Sequence, residues 1–389
     1  MKKVLLYLLI AVALCLSLTN FIFDNNTAFG ATSTDAKLGA KSFSCVLADY
    51  DSGNIIYQKN AQAKRPVASI TKLMTLILAY DSINSGKGSL EDIVTISANA
   101  SGMGGSQAFL DTNSRHKLSD LLKLIIVASA NDCSVAVAEH LYGSVETFVS
   151  KMNKKSAEIG LVATNFVNCT GLPALNQYSC AIDCVKMLSY LVGQNNNYFD
   201  YSKIWLEDYV HPGGRTTTIT NTNKLVRFYT GCDGGKTGFT NEAMHCLCAT
   251  AKRGETRFVA CVLGEPDSKT RFGEVSEMLN YGFANYQNKV YLDFDGIEDV
   301  VIKGGKQSTL KVAPEKKLCN FIEKGQEEDN VKVVFDIKNI KAPINQQDII
   351  GKAYLVKKDK VLSETNIIAL ERVEAKTYFD NIGDIIRQW

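Results

Sequence analysis

A serine hydroxyl, two lysine amines and a carboxamide stand in this sequence at spacings suited to opening an amide. They fall in three short motifs, Ser69-Ile70-Thr71-Lys72, Ser129-Ala130-Asn131 and Lys236-Thr237-Gly238. The patterns S-x-x-K, S-x-N and K-T-G, in that order, serve amide chemistry through a serine ester with lysine as base. None is decisive alone. S-x-x-K recurs at Ser114–Lys117 and Ser308–Lys311, and S-x-N recurs at Ser82–Asn84 and Ser97–Asn99. K-T-G occurs once. The signal is the combination of order, wide spacing and local context.

A serine hydroxyl is a poor nucleophile until a base removes its proton. Ser69 and Lys72, three apart on a helix, share one face. Lysine acts as a base only when neutral, so burial and a nearby cation must lower its ordinary pKa of about 10.4. Lys236 is the candidate cation. Ser129 can relay the proton to a leaving amine, and Asn131 can hold the substrate's own amide. Lys236 and Thr237 offer donors to a carboxylate. Gly238 allows close approach, and the backbone N–H groups of Ser69 and Phe239 are candidates for an oxyanion hole. Taken singly, the motifs also read as an N-cap serine beside a solvated lysine, a capped helix stop and a turn lysine.

These groups need elements to place them. Ser42–Asp49 reads as a strand, Asp51–Asn54 as a turn and Ile55–Gln58 as the returning strand. Behind Pro66, a stripe of Ile70, Leu73, Met74, Ile77 and Leu78 predicts a helix beginning near Ser69. Leu118–Leu141 reads as two helices parted near Ser129, with helices at Phe148–Leu161 and Ile182–Val192. Asp233-Gly234-Gly235 reads as a turn into Lys236, followed by strands His245–Lys252 and Arg257–Leu263 and a closing helix Glu274–Tyr286. Strands at both ends of a helical middle predict an α+β fold, an antiparallel sheet faced by helices. From about Val290 the texture changes to short strand-like runs at Val300–Lys303, Ser308–Val312, Val331–Phe335 and Gly351–Val356, a smaller β-rich domain.

Length and composition agree with this division. The chain has 389 residues, 46% hydrophobic and 22% charged, with a net charge of +2. That mass favours two domains, and the balance offers no basic surface for nucleic acid. Lys2 and Lys3 precede the apolar run Val4–Leu18, and small residues follow at Ala28–Ala31. This is the layout of a cleaved secretory leader, residues 1–30, with the cut near Gly30 or Ala31. The run is shorter than the about 20 residues of a bilayer-spanning helix. Eleven cysteines, ten after cleavage, give neither a disulfide scaffold nor a zinc framework and read as small buried hydrophobes. His116, His140, His211 and His245 are too scattered to form a metal set, and the chemistry calls for no cofactor. At the other end Phe379, Ile382, Ile386 and Trp389 line one side of a short amphipathic helix, 376–389. It either lies on a membrane surface, with Trp389 as anchor, or packs on the β-rich domain.

With these residues in view, the chain resembles the D-alanyl-D-alanine carboxypeptidases, the low-molecular-mass penicillin-binding proteins. The likeness rests on Arg65–Thr75, Ser129–Asp132, Phe148–Asn153, Asn221–Leu225 and Asp233–Thr240, and on the tail with Ala342-Pro343 and Gly351. It implies a β-lactamase/transpeptidase-like catalytic domain at 31–289 and a β-rich domain at 290–375. It also implies that Ser69 attacks the bond between the two D-alanines of a peptidoglycan stem pentapeptide. Lys72 would be the base, Ser129 and Asn131 relay and positioner, and Lys236 the electrostatic partner. Thr237 and Arg271 would contact the substrate carboxylate, and β-lactams would inhibit at the same serine. The enzyme would work outside the cytoplasm, at the membrane face or in the wall.

Two positions depart from that family's pattern. Phe239 follows K-T-G where many relatives have histidine, and Cys133 follows Asn-Asp where relatives carry a small apolar residue. A class A-like β-lactamase shares the three motifs but needs an E-x-x-L-N run before K-T-G. None lies between Asn131 and Lys236, and Glu277-Met278-Leu279-Asn280 comes after. A non-catalytic wall-binding module is the other alternative, opposed by intact Ser69, Lys72, Asn131 and Lys236.

Overall fold

The computed structural model describes residues 37–194, 197–326, 330–337 and 339–378, with Asp380 and Ile382 beyond. The leader expected at 1–30 and most of the terminal helix expected at 376–389 lie outside the described residues. Where that helix starts, Thr377 N and Oγ1 donate to Asp380 Oδ2 at 2.8 and 2.7 Å, and Asp380 N returns a bond to Thr377 Oγ1 at 3.3 Å. This is a reciprocal N-terminal cap.

The chain divides into two compact units between Phe283 and Ala284. In the first, the strands in chain order are β1 (Ser44–Asp49), β2 (Ile55–Lys59), β3 (Ile93–Thr95), β4 (Arg115–Lys117), β5 (Leu206–Val210), β6 (Thr216–Thr220), β7 (Cys232–Thr240), β8 (Met244–Arg253) and β9 (Thr256–Glu265). Five of them form one antiparallel sheet in the order β2-β1-β9-β8-β7. The middle strand β9 is buried along its whole length, which its apolar run Phe258–Leu263 requires. Strand β7, which carries Lys236-Thr237-Gly238, is an edge. Two small two-stranded sheets, β3–β4 and the hairpin β5–β6, are separate from this sheet.

The helix Lys72–Asn84 is buried on every side over Lys72–Tyr80. It packs against the helices Asn131–Tyr142 and Ala181–Gln194, and the latter lies on β1, β8 and β9. Leu118–Ala128 and Asn131–Tyr142 are the two helices that meet around Ser129. The last helix, Ser268–Asn285, begins earlier than the sequence indicates and contains Arg271 within its length. Asp233-Gly234-Gly235, expected as a turn, belongs to β7. The register slips between Cys232 and Gly234, and Gly235 takes a φ of 136° with no room for a Cβ, which would stand 2.4 Å from Cys248 O. The glycines make a bulge in a strand rather than a reversal of the chain.

The described residues of the second unit are mostly in strands. Its strands are β10 (Tyr286–Leu292), β11 (Val300–Lys303), β12 (Thr309–Leu310), β13 (Val312–Pro314), β14 (Leu318–Glu323), β15 (Val331–Ile337), β16 (Ile340–Lys341), β17 (Ile349–Lys357) and β18 (Lys360–Ala369). They pair as β10-β14, β12-β11-β16 and β13-β18-β17-β15. A core including Leu310, Leu355, Ile367 and Val373 holds them together.

Candidate active site

The nucleophile candidate sits in a 3₁₀ turn, Ala68–Thr71, and Lys72 is the first residue of the α-helix that follows. The sequence places both on one α-helix. The tighter turn brings positions i and i+3 more nearly into line. Lys72 Nζ donates to Ser69 Oγ at 2.9 Å and to Thr170 O at 2.6 Å. Its side chain has no exposed surface. Burial lowers its pKa to about 7, against Cys169, Asp132 and Cys133, which pull it up. An amine with two acceptors and no carboxylate partner among the described residues is poised to be neutral near physiological pH.

The backbone around Ser69 is strained. Ala68 holds a φ of 47°, which a residue with a Cβ adopts only at a cost. Gly171 (φ 86°) presses on this turn so closely that a Cβ there would stand 2.0 Å from Ala68 O. Gly238 does so from the other side, its Cβ position being 2.4 Å from Val67 O and 3.3 Å from Ser69 N. Strand β7 therefore runs against the Ser69 turn, with Gly238 directly beside Ser69 N.

Ser129 ends the helix Leu118–Ala128 with a left-handed φ of 62°, and Asn131 starts the next helix. Both side chains are buried. Asn131 Nδ2 is fixed on Gly104 O at 2.7 Å, while its Oδ1 is buried with no partner. A substrate amide N–H is the kind of donor that would relieve this unmet acceptor. Asp132, next in the chain, accepts from the amides of Ala108, Leu110 and Cys133 at 2.9 to 3.1 Å. It thereby fixes the 104–110 loop beside Asn131.

Lys236 is buried, and its Nζ donates to Thr237 O at 3.1 Å. Burial pushes its pKa well down, and the charges of Lys72 and Arg271 push it further. An entering carboxylate supplies the counter-charge that restores the ammonium form. Thr237 is buried beside it. The ring of Phe239 is 55% exposed and stacks on His245, centroids 4.3 Å apart. Arg271 is buried, donating through Nη1 to Gly238 O at 3.2 Å and Cys246 O at 3.4 Å, with Nε unpartnered. In this geometry Arg271 braces β7 and β8 from within the fold.

The predicted residues fall on three pieces, the Ser69 turn, the Ser129–Asn131 break and strand β7; Gly238 brings the first and third into contact, and Arg271 braces β7. Sequence reasoning missed Asp132, Gly171 and the carbonyl of Thr170. Asn168 Oδ1 organises that last loop, accepting from Gly171 N at 2.7 Å and Thr170 N at 3.1 Å. The turn-forming run Asn168-Cys169-Thr170-Gly171 is a signal that could have been read; a backbone carbonyl as lysine's partner has none.

Known proteins resemble the chain along most of its length. The family model for D-alanyl-D-alanine carboxypeptidase matches residues 30–267, and that for the penicillin-binding protein 5 C-terminal domain matches residues 287–375. The D-alanyl-D-alanine carboxypeptidase DacF of Bacillus subtilis is 36% identical over 91% of each chain. The crystal structure of penicillin-binding protein 5 from Haemophilus influenzae is 30% identical, with a TM-score of 0.67, over 88% of this chain and 99% of that one. A Streptomyces K15 DD-transpeptidase variant is 28% identical, with a TM-score of 0.59, over 63% of this chain and 98% of that one. A serine–lysine pair with this fold, these two domain matches and relatives of this closeness place the chain in the D-alanyl-D-alanine carboxypeptidase family.

Proposed function

We propose that this protein is a serine D-alanyl-D-alanine carboxypeptidase that removes the terminal D-alanine from peptidoglycan stem pentapeptides. The observation that carries the reading is the Lys72 amine, wholly buried and 2.9 Å from Ser69 Oγ. Neutral Lys72 takes the Ser69 proton as Oγ attacks the carbonyl between the two D-alanines. The tetrahedral oxyanion is held by the N–H groups of Ser69 and Phe239. Ser129 passes the proton to the leaving nitrogen, the C–N bond breaks, and D-alanine departs. Asn131 and Lys236 position the substrate and Thr237 the carboxylate of the departing D-alanine, with Arg271 fixing the strand. Water then attacks the ester and returns Ser69. A β-lactam acylates the same serine, but its leaving nitrogen stays tethered and the ester clears slowly.

The same reading carries a processing scheme: a leader over 1–30, a catalytic domain to about 289, a β-rich domain to 375 and a terminal helix at a membrane surface. The protein then acts on the outer face of the cytoplasmic membrane or in the wall. Incubation with benzylpenicillin and, separately, with a pentapeptide ending in D-Ala-D-Ala tests the activity. Expected are a stable adduct mapped to Ser69 and released D-alanine. Rapid destruction of penicillin without peptide cleavage would replace this reading by the β-lactamase.

A further inference from the structure

The cleft leaves unexplained a surface attached to its framework. Thr222 N donates to Val127 O at 3.1 Å, two residues before Ser129, and Asn223 Nδ2 donates to Gly234 O of β7 at 3.2 Å. The segment 221–223 thus ties together the frames of the second and third motifs. Asn221 N donates in turn to Trp205 O at 2.8 Å, so Trp205 and β5 are fastened to the same segment.

The hairpin β5–β6 has two unlike faces. Tyr209 and Ile219 are buried and do the packing. The opposite face presents the cross-strand pairs Leu206/Thr220, Asp208/Thr218 and Val210/Thr216. Leu206 and Val210 are 57% and 61% exposed. Just before the hairpin, Trp205 and Phe228 meet edge to face, centroids 5.6 Å apart, with Phe228 69% exposed. Arg227 lies 5.5 Å over the Trp205 ring and 5.7 Å over Phe228. Neither this cation nor Lys224 has a carboxylate partner among the described residues.

An apolar patch rimmed by polar groups marks an interaction surface, and the make-up of this one indicates the partner. Aromatic faces pack on the C–H faces of pyranose rings. The hydroxyls of Thr216 and Thr220 flank an Asp208–Thr218 pair, in which Thr218 Oγ1 donates to Asp208 Oδ1 at 2.5 Å, and all these groups can exchange hydrogen bonds with sugar hydroxyls. The unpaired cations complement carboxylates carried on a wall polymer. We propose that the Trp205–Phe228 pair and the outer face of β5–β6 form a carbohydrate platform for glycan strands. The proposal rests on the substrate reading above, since glycan is what bears the stem peptides. It gives the enzyme a hold on the polymer separate from its hold on the peptide.

The test uses the whole protein and its Phe228→Ala and Trp205→Ala variants. Binding is measured by co-sedimentation with peptidoglycan freed of anionic polymers, and with the same glycan stripped of its peptides. D-alanine release is measured on intact peptidoglycan and on free pentapeptide. Each variant is expected to bind both polymers about tenfold more weakly, the loss of one good aromatic contact. Release from polymer at limiting concentration should fall by a similar factor, and kcat/KM on free pentapeptide should change by less than twofold. Phe228 is largely exposed, so its variant carries the test if Trp205→Ala melts early. Failure of the wild-type protein to bind stripped glycan overturns the proposal. Variants that bind like wild type, or that lose both substrates equally, also overturn it, as does binding only to anionic lipid vesicles. If free pentapeptide yields no D-alanine, the carboxypeptidase reading fails, whereas stripped-glycan binding judges the platform independently.

Discussion

In the proposed mechanism, the chemistry is concentrated in the one hydrogen bond between Lys72 and Ser69. Ser69→Ala should abolish both D-alanine release and the penicillin adduct, seen by intact mass. The base works only when neutral, and its pKa is about 7. Acylation should therefore rise with pH through about 7 and level off above it, measured by stopped-flow with a chromogenic cephalosporin. Lys72→Arg keeps the charge but removes the titration, and should cost about 10²–10⁴ in rate. A second pair of residues governs stability instead. Glu265 and Glu274 both lie within hydrogen-bond distance of Ser42 Oγ, the latter at 2.6 Å. Burial and the neighbouring Glu274 raise Glu265 to about 8, while hydrogen bonds from Glu265, Ser42 and the Lys41 amide lower Glu274 against its own burial. The folded state keeps a proton that the unfolded chain, with an ordinary glutamate near 4.3, releases. Stability from this group is thus complete below about 4.3 and is lost as pH rises through about 8. Melting temperature should fall across that window, and Glu265→Gln should flatten the fall.

At the level of elements, the site is made where loops press on the Ser69 turn. Gly171→Ala would drive a Cβ to 2.0 Å from Ala68 O and force a left-handed φ of 86° on alanine. Roughly 2 kcal/mol or more of stability should go, read by urea denaturation, and penicillin acylation should slow with it. Asp132 works through the backbone. Its removal leaves the buried amides of Ala108, Leu110 and Cys133 unsatisfied. At about 1–3 kcal/mol for each stranded group, Asp132→Ala should be among the more damaging single changes outside the reacting residues. Denaturation midpoint and KM for pentapeptide report the two consequences separately.

On the scale of the whole molecule, the cysteines are part of the core. None of the ten among the described residues is in a disulfide, and nine are buried. Burial raises the thiols of Cys45, Cys169, Cys232 and Cys246 to about 12. Such thiols are inert as nucleophiles. Ellman's reagent should label about one thiol per native molecule, the partly buried Cys319, and ten once the protein, freed of the proposed leader that holds Cys15, is unfolded in guanidinium. Cys246 and Cys248 face the interior together from β8, as their spacing of two in a strand requires.

The sequence alone determined the candidate groups for the proposed chemistry. Residue types at short spacing are local facts, so Ser69 with Lys72, Ser129 with Asn131 and the single Lys236-Thr237-Gly238 were legible, as were the main helices and the β-rich tail. Short-range pattern could not tell a bulged strand from a turn at Asp233–Gly235, since glycine serves both. Nor could it show that Gly171, Thr170 and Asp132 complete the site. Those contacts join residues from 22 to 103 positions apart; they form by packing loops from separate elements into one space and leave no periodic trace along the chain. The motifs name the candidate groups, but only the tertiary packing that buries Lys72, with Thr170 O and Ser69 Oγ as its acceptors, lowers an ordinary lysine toward neutrality as the proposed base requires.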